Sequence, residues 1–377
     1  MPEQLPRLPL AADPGLRRRH LLALPGGIGP DEVEVLAASR FLNARWEPSS
    51  VEVPAQRKPL TAAFGIRALS SSGAPPARVL RLTRHSSLTG PYAVTTEDVV
   101  GLGLPVATTH VFDVGAPVER GPRPYPGGDR YGLKRAFPDG TPVREEERVL
   151  LWLVACARRL GGSVRVGETG AILTPDMESA IDLTVFTDRW VEPGDALAMV
   201  QRVAPRARIS APERPWTGPM VDFESTATFG IAEPGGAGLR SALERHGVLD
   251  PEERRRLMAE AAAFDEMMLA APSSAESFGV IVPLDVDGLI AVEVGEESDL
   301  PPLLRGLPWA AGGAVAYRVR WEPPAIEDLE VERPPLEHRV ARGRASSLVQ
   351  TIARSVHSAV GGEIADEADF LIDPADL

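Results

Sequence analysis

The chain repeats part of itself, and this repeat constrains the fold more than any other feature of the sequence. At a constant spacing of 200 residues, five apolar pairs recur: Val149 and Val349, Trp152 and Ile352, Cys156 and Val356, Leu160 and Val360, Val164 and Ile364. The spacing holds through a predicted helix, a double glycine at Gly161-Gly162 and Gly361-Gly362, and a short strand. A spacing that is constant across three kinds of local structure predicts an internal duplication.

The repeat extends to longer segments when predicted elements are compared in order. Each copy begins with a pair of strands, within 61–85 and 277–295, and then has a short helix that ends in Gly-Leu-Pro. A strand, the long helix and a final strand follow. In the second copy Asp287-Gly288 lies between two apolar runs, which is a strong signal for a β-hairpin. The sequence therefore predicts an α+β fold of two related units, each a mainly antiparallel sheet covered on one face by its long helix.

The length of 377 residues suits two domains rather than one. The predicted elements divide the chain into an N-terminal arm with a short helix (1–59), a first α+β unit (60–176), a middle segment (177–276) and a second unit (277–377). The middle segment has mixed α/β character: a strand, a helix, a possible strand and a helical pair. No second copy of it is recognised in the sequence. We expect it to extend or bridge the two repeated units.

Composition and charge exclude several classes of partner. The net charge is -13, and the arginines are scattered rather than clustered. Nucleic acids and anionic membrane surfaces require a concentrated basic face, so neither is an expected partner. No run approaches the ~20 apolar residues of a membrane span, and residues 17–24 resemble a signal peptide only over a short apolar stretch. We therefore expect a cytoplasmic protein.

No cofactor or metal site is predicted. The one cysteine, Cys156, lies on the apolar face of a predicted helix and is expected to be a small core residue. The carboxylates between 366 and 376 lack the ligand spacing of a calcium loop and are interpreted as a solvated acidic terminus. The glycine-rich segment 234–238 lacks the lysine of a phosphate-binding loop and is interpreted as a plain loop.

Four polar residues of the first unit are candidates for a catalytic site: His85, His110, Arg84 and Asp113. The two histidines lie on separate predicted strands, and they would share a face of the sheet if those strands were adjacent. The second copy has no histidine at either position. This difference is what a site confined to one unit would show, and also what divergence on a solvent-facing surface would show.

Two functional hypotheses follow. No motif of a familiar hydrolase, dehydrogenase or kinase is present. The preferred hypothesis is a non-enzymatic module that binds a protein or a small molecule through a groove between the units, or through the long proline- and glycine-rich loop at 115–142. Deleting 118–138 is then expected to leave the fold intact and abolish binding. The alternative is an enzyme of unrecognised type, which requires the four candidate residues to converge in a pocket.

Overall fold

The computed structural model describes residues 5–47, 77–210 and 277–377. Within these residues it contains two antiparallel sheets of seven strands each. Three sequence-based predictions fall outside the described residues: the strand at 61–69, the strand at 223–232, and the loop and helices from 234 to 269.

The first half of the chain forms one sheet. Its strands are β1 (His20–Pro25), β2 (Arg45–Trp46), β3 (Arg78–Arg81), β4 (Ser87–Ala93), β5 (Thr108–Gly115), β6 (Ser163–Arg165) and β7 (Ile172–Leu173). Its helices are α1 (Pro30–Arg40), α2 (Thr96–Leu102), α3 (Leu133–Ala136) and α4 (Arg144–Arg159). The strand order is β2-β3-β4-β5-β1-β6-β7, so β1 is a central strand.

The second half forms the other sheet. Its strands are β8 (Leu183–Thr187), β9 (Arg208–Ile209), β10 (Phe278–Pro283), β11 (Leu289–Glu297), β12 (Ala314–Glu322), β13 (Glu363–Asp366) and β14 (Leu371–Ile372). Its helices are α5 (Pro193–Gln201) and the long α6 (Leu336–Val360). The strand order is β9-β10-β11-β12-β8-β13-β14, which repeats that of the first sheet. The predicted α+β class and two related units are confirmed.

The central strands β1 and β8 complete the correspondence between the halves. In β1, Leu22 lies opposite Phe112 of β5 and Val164 of β6. In β8, Val185 lies opposite Tyr317 of β12 and Ile364 of β13 in the same way. The structure thus places β8, α5 and β9 at the positions of β1, α1 and β2, although sequence comparison recognises no second copy there. We propose that each repeated unit begins at its central strand.

The repeated apolar positions form the two cores. In α4 and α6 the paired positions Val149 and Val349, Trp152 and Ile352, and Cys156 and Val356 are all buried. They recur at spacings of three and four residues, so they lie along one face of each helix and cover one face of its sheet. Burial of each such side chain contributes about 1.5–3 kcal/mol. The repeated apolar pattern in the sequence therefore corresponds to two equivalent cores, each formed by a long helix packed on a sheet.

The double glycines end the two long helices, as predicted. Gly161 and Gly361 follow α4 and α6 with φ of 64° and 72°, a region that glycine enters without steric cost. Gly362 has φ of 94° and packs directly on the backbone of Phe186 in β8. These glycines therefore turn the chain sharply from helix into strand.

Two predicted elements require correction. The strand predicted at 78–85 ends at Arg81, and the chain turns into β4, which sequence analysis did not identify. Gly90 and Pro91 weaken the strand signal there, and the structure accommodates them at an irregularity in the β4–β5 register. The helix predicted at 299–306 is only a short 3₁₀ turn at Leu304–Gly306, since Pro301 and Pro302 each disfavour the α conformation of the residue before them.

The first part of the acidic terminus is buried or paired, which corrects the prediction for Asp366, Glu367 and Asp369, whereas Asp373 and Asp376 are exposed as expected. Glu367 is paired with Arg130 and Arg158, and Asp369 is paired with Arg40. Asp366 is buried, and its Oδ1 accepts the N–H groups of Ala368 and Phe370 at 2.8 and 3.1 Å. The composition of this segment indicated exposure, but arginines of the first half neutralise Glu367 and Asp369.

Candidate functional site

The four residues predicted as a catalytic site do not come together. Arg84 and His85 are exposed in the turn between β3 and β4. His110 and Asp113 are buried on β5. They lie three residues apart, and alternate residues of a strand point to opposite faces, so they occupy opposite faces of the sheet. No single pocket can be lined by all four.

His110 and Asp113 are each buried and have different polar neighbours: His110 Nδ1 lies 3.0 Å from the Thr109 hydroxyl, and Asp113 pairs with Arg19. Burial lowers the pKa of His110, and it raises the pKa of Asp113 to about 6. Arg19 lies 3.2 Å from Oδ2 of Asp113 and lowers that pKa in part. Among the described residues, His110 Nε2 and Asp113 Oδ1 have no hydrogen-bond partner. Neither residue has a neighbour arranged for acid–base catalysis.

A buried polar cluster that sequence analysis did not identify anchors the 115–142 loop. Glu146, in the first turn of α4, is fully buried. His20 Nε2 lies 3.1 Å from its Oε1, and the Glu119 N–H donates to Oε2 at 2.8 Å. Arg120 pairs with the same carboxylate. The Gly167 N–H donates to His20 Nδ1 at 3.1 Å, so the imidazole proton lies on Nε2 and is donated to Glu146.

The carboxylate of this cluster is held in its charged form. Burial by itself would raise the pKa of Glu146, but the hydrogen bonds from His20 and the Glu119 N–H, together with the charge of Arg120, lower it below its ordinary value. Both imidazole nitrogens and both carboxylate oxygens have partners. A fully satisfied cluster rigidifies a fold and offers no free group to a ligand.

The cavity between the two halves is different, because its polar groups are not all satisfied. It has a volume of about 40 Å³. Its wall from the first half includes Arg130 and Tyr131 of the 115–142 loop, Arg158 of α4, and Asp176 beyond β7. Its wall from the second half includes Asp328, Glu332, His338 and Arg342. We refer to this space as the inter-half cavity.

Ion pairs that cross between the halves shape the inter-half cavity. Arg158 of the first half pairs with Glu367 of the second, and Arg342 of the second half pairs with Asp176 of the first. Arg130 also pairs with Glu367, at 2.8 Å, and donates to the Ser179 carbonyl at 3.3 Å. Each half thus contributes both cations and carboxylates. The arginine side chains are held in place by these pairs rather than free to move with solvent.

Two side chains that line this cavity each have a buried nitrogen atom without a partner in the described part of the chain. His338 Nδ1 and Arg342 Nε have no hydrogen-bond partner among the described residues. The two side chains are only 3% and 5% exposed. They lie four residues apart on α6, and therefore on one face of the helix. The nearest carboxylate oxygen to His338 Nδ1 is Asp328 Oδ2 at 3.8 Å, which is too long for a hydrogen bond.

His338 is neutral at neutral pH. Burial is the largest cause that lowers its pKa, and the charge of Arg342 lowers it further, against a smaller opposing effect of Asp328. A neutral imidazole carries one N–H and one acceptor nitrogen. Its ring packs against Trp321 with the ring centres 5.0 Å apart, so its orientation is restricted.

Sequence analysis predicted a groove between the units but none of these cavity residues. The apolar stripe of α6 indicates a helix over 345–360, whereas the helix begins at Leu336. The first turns carry His338 and Arg342, and no apolar periodicity marks these two polar residues as buried. Asp176, the partner of Arg342, is 166 residues away in the chain. The only signal was the i, i+4 spacing of His338 and Arg342 in a polar stretch.

Comparison with known proteins adds no functional information. No protein-family model matches this chain, and comparisons with curated proteins and with solved structures find no match. In the described part of the chain, no helix combines the length and apolar composition needed to cross a membrane. Across residues 5–47, 77–210 and 277–377, no three His, Cys, Asp or Glu side chains are grouped so as to hold a metal ion. The inter-half cavity is therefore the feature of the described residues from which a function can be inferred.

Proposed function

We propose that this protein is a non-enzymatic binding protein that takes a small polar ligand into the inter-half cavity. The observation that carries the proposal is the pair of unpartnered nitrogens, His338 Nδ1 and Arg342 Nε, on buried side chains. A buried polar group without a hydrogen bond costs about 1–3 kcal/mol. Native structures leave few such groups, so a ligand that supplies the missing partners would stabilise the protein.

The size of the cavity limits the part of the ligand that enters. One water molecule requires roughly 10–15 Å³ of such space. The volume of about 40 Å³ therefore accommodates a group of about three non-hydrogen atoms. A larger ligand would bury one polar end group here.

The side chains around the cavity favour binding over catalysis. Its two aliphatic hydroxyl groups are already engaged: Thr174 lies 3.0 Å from the Ser163 hydroxyl, and Ser179 donates to the Asp176 carbonyl at 2.7 Å. Neither hydroxyl has a hydrogen bond to a histidine among the described residues. Cys156 is fully buried, and burial raises its pKa well above the ordinary value. A nucleophile and an activating base, which covalent catalysis needs, are not paired in this cavity.

The 115–142 loop takes part in the proposed site. It contributes Arg130 and Tyr131 to the cavity wall. Asp129 links the loop to the second half, because its N–H donates to the Glu330 carbonyl at 2.6 Å. The groove and the loop, which the sequence suggested as alternative binding surfaces, thus meet at one place.

The proposal is tested by thermal-shift measurements on the full chain with a panel of small polar metabolites. A ligand at 100 times its Kd should stabilise the protein by about 2.7 kcal/mol. We expect Arg342→Gln to abolish the shift, whereas Arg344→Gln, at an exposed arginine of the same helix, should retain it. A panel with no stabilising member, or a shift unchanged in Arg342→Gln, would overturn the proposal.

A further inference from the structure

We infer that the ligand group bound in the inter-half cavity is a carboxylate. The inference rests on the proposed function, because it names the chemical class of the ligand for that site. It depends on three observations: the surplus of hydrogen-bond donors, the position of the α6 N-terminus, and the balance of charge and volume.

The cavity has more donors than acceptors. An arginine has five N–H groups, but each cavity arginine uses a single terminal nitrogen in its ion pair. Arg130 and Arg158 both donate to Glu367, and Arg342 donates to Asp176. The acceptors of the cavity wall are already engaged, except for the Asp328 carboxylate.

Two of the three carboxylates of the wall have arginine partners, and the third, Asp328, lies 3.8 Å from His338 Nδ1 without a hydrogen bond. Asp176 is paired with Arg342, and Glu332 is paired with Arg135 at 2.7 Å. The unpartnered Arg342 Nε can only donate. His338 Nδ1 donates when the imidazole proton lies on that nitrogen. A ligand that satisfies both atoms must therefore present acceptor oxygens.

The N-terminus of α6 adds a preference for negative charge. The helix begins at Leu336 and is 25 residues long, and Pro334 and His338, on either side of its first residue, both line the cavity. The first backbone N–H groups of a helix have no acceptor within the helix. Together with the helix dipole they make this end favourable for an anion.

Charge and volume select a carboxylate over a phosphate. Three arginines and three acidic residues line the cavity, so their formal charges cancel, and the helix end and the unpartnered donors favour a single negative charge. A carboxylate has three non-hydrogen atoms, which matches the space of about 40 Å³. A phosphate has five such atoms and carries more charge. The two carboxylate oxygens would accept from Arg342 Nε and His338 Nδ1.

The test is isothermal titration of the full chain with sodium acetate, compared with sodium phosphate and with sodium chloride at equal ionic strength. We expect one acetate to bind per chain and neither comparison salt to bind. Arg342→Gln should weaken acetate binding about 10- to 100-fold, the usual effect of losing a hydrogen bond to a charged group. Arg344→Gln should leave the affinity unchanged.

A second pair of variants covers the case in which Arg342→Gln does not fold. His338→Asn places an amide N–H near the position of Nδ1 and should retain acetate binding. His338→Leu has no donor and should weaken it about tenfold or more.

The outcomes separate the carboxylate inference from the proposed function. Phosphate binding that depends on Arg342, without acetate binding, would overturn the carboxylate inference and leave the binding site standing. If a neutral compound of the metabolite panel binds in an Arg342-dependent way and acetate does not bind, the carboxylate inference is likewise overturned and the binding site stands. Acetate binding that none of the cavity substitutions changes would overturn both. If acetate, phosphate and every compound of the panel fail to bind, both the carboxylate inference and the proposed function are overturned.

Discussion

Arg158 of the first half and Glu367 of the second form an ion pair that neither residue's counterpart in the other copy can make. At the spacing of 200 residues, Arg158 corresponds to Ser358 and Glu367 corresponds to Gly167. The Arg158 side chain is only 6% exposed and the Glu367 side chain 17%. The contact therefore belongs to the interface between the halves, where the two copies differ, and not to the duplicated core.

We predict that Glu367→Gln lowers the free energy of unfolding by about 2–4 kcal/mol, because it leaves the buried Arg158 guanidinium without a countercharge. Glu168→Gln is the matched control, since Glu168 pairs with Arg120 but is mostly exposed, and it should cost less than about 1 kcal/mol. Urea denaturation of the three proteins measures the difference. If the two substitutions lower the free energy of unfolding equally, Glu367 does not stabilise the buried Arg158 guanidinium as expected.

Asp113 is expected to make stability depend on pH. Its pKa is raised by burial from 3.8 to about 6 in the folded protein. The folded state thus holds a proton more tightly than the unfolded state, so stability rises as the pH falls from about 6 towards 4, and the cost of the buried charge is fully present above pH 6.

Asp113→Asn should therefore stabilise the protein at pH 7 by up to about 3 kcal/mol, and this advantage should disappear near pH 4. The measurement is denaturant unfolding of wild type and variant across this pH range. Asp139→Asn, at an exposed carboxylate, controls for the loss of one negative charge. A difference between wild type and Asp113→Asn that does not change with pH would contradict the expected titration.

The 115–142 loop is expected to be part of the folded core. Arg120→Gln should destabilise the protein by about 2–4 kcal/mol, because it removes the countercharge of the fully buried Glu146. Arg123→Gln, in an exposed pair of the same loop, should have an effect below about 1 kcal/mol. Thermal and urea unfolding would distinguish them.

This expectation also changes the predicted effect of deleting 118–138. The deletion removes Arg120 together with the buried Phe137, so it should destabilise the fold as well as affect binding. A deletion variant as stable as wild type would show that these contacts contribute little.

Two glycines, one inside α6 and one just beyond its C-terminal end, should respond to alanine in opposite directions. Gly362 has φ of 94°, and a Cβ there would overlap the Phe186 carbonyl oxygen, so Gly362→Ala should cost about 2 kcal/mol or more. Gly343 lies inside the helix with open space around it, so Gly343→Ala should stabilise by about 0.5–1 kcal/mol. Chemical denaturation of both variants measures whether each substitution raises or lowers the free energy of unfolding. Destabilisation by both would mean that Gly343 has a role the open space does not suggest.

The sequence predicted those parts of the fold that are encoded by local periodicity. The apolar stripe of α6 and its copy in α4 follow the helical repeat, and the glycines at 161 and 361 fit a conformation that other residues enter at a cost. It did not predict β4, because Gly90 and Pro91 are unfavourable in strands. It also did not show that β8 is the counterpart of β1, because short apolar strands are too alike to reveal a shared ancestry.

The sequence by itself determined that the chain is duplicated, that it is α+β, and that each long helix covers a sheet. Only the tertiary structure decided which polar residues are buried together. His110 and Asp113 look like partners along the chain, yet the pleat of β5 turns them to opposite faces. Arg342 and Asp176 are far apart along the chain and meet at the inter-half cavity. The periodicity of apolar residues indicates which face of a helix or strand is buried. Contacts between polar groups that are distant in the sequence depend instead on how the two halves pack.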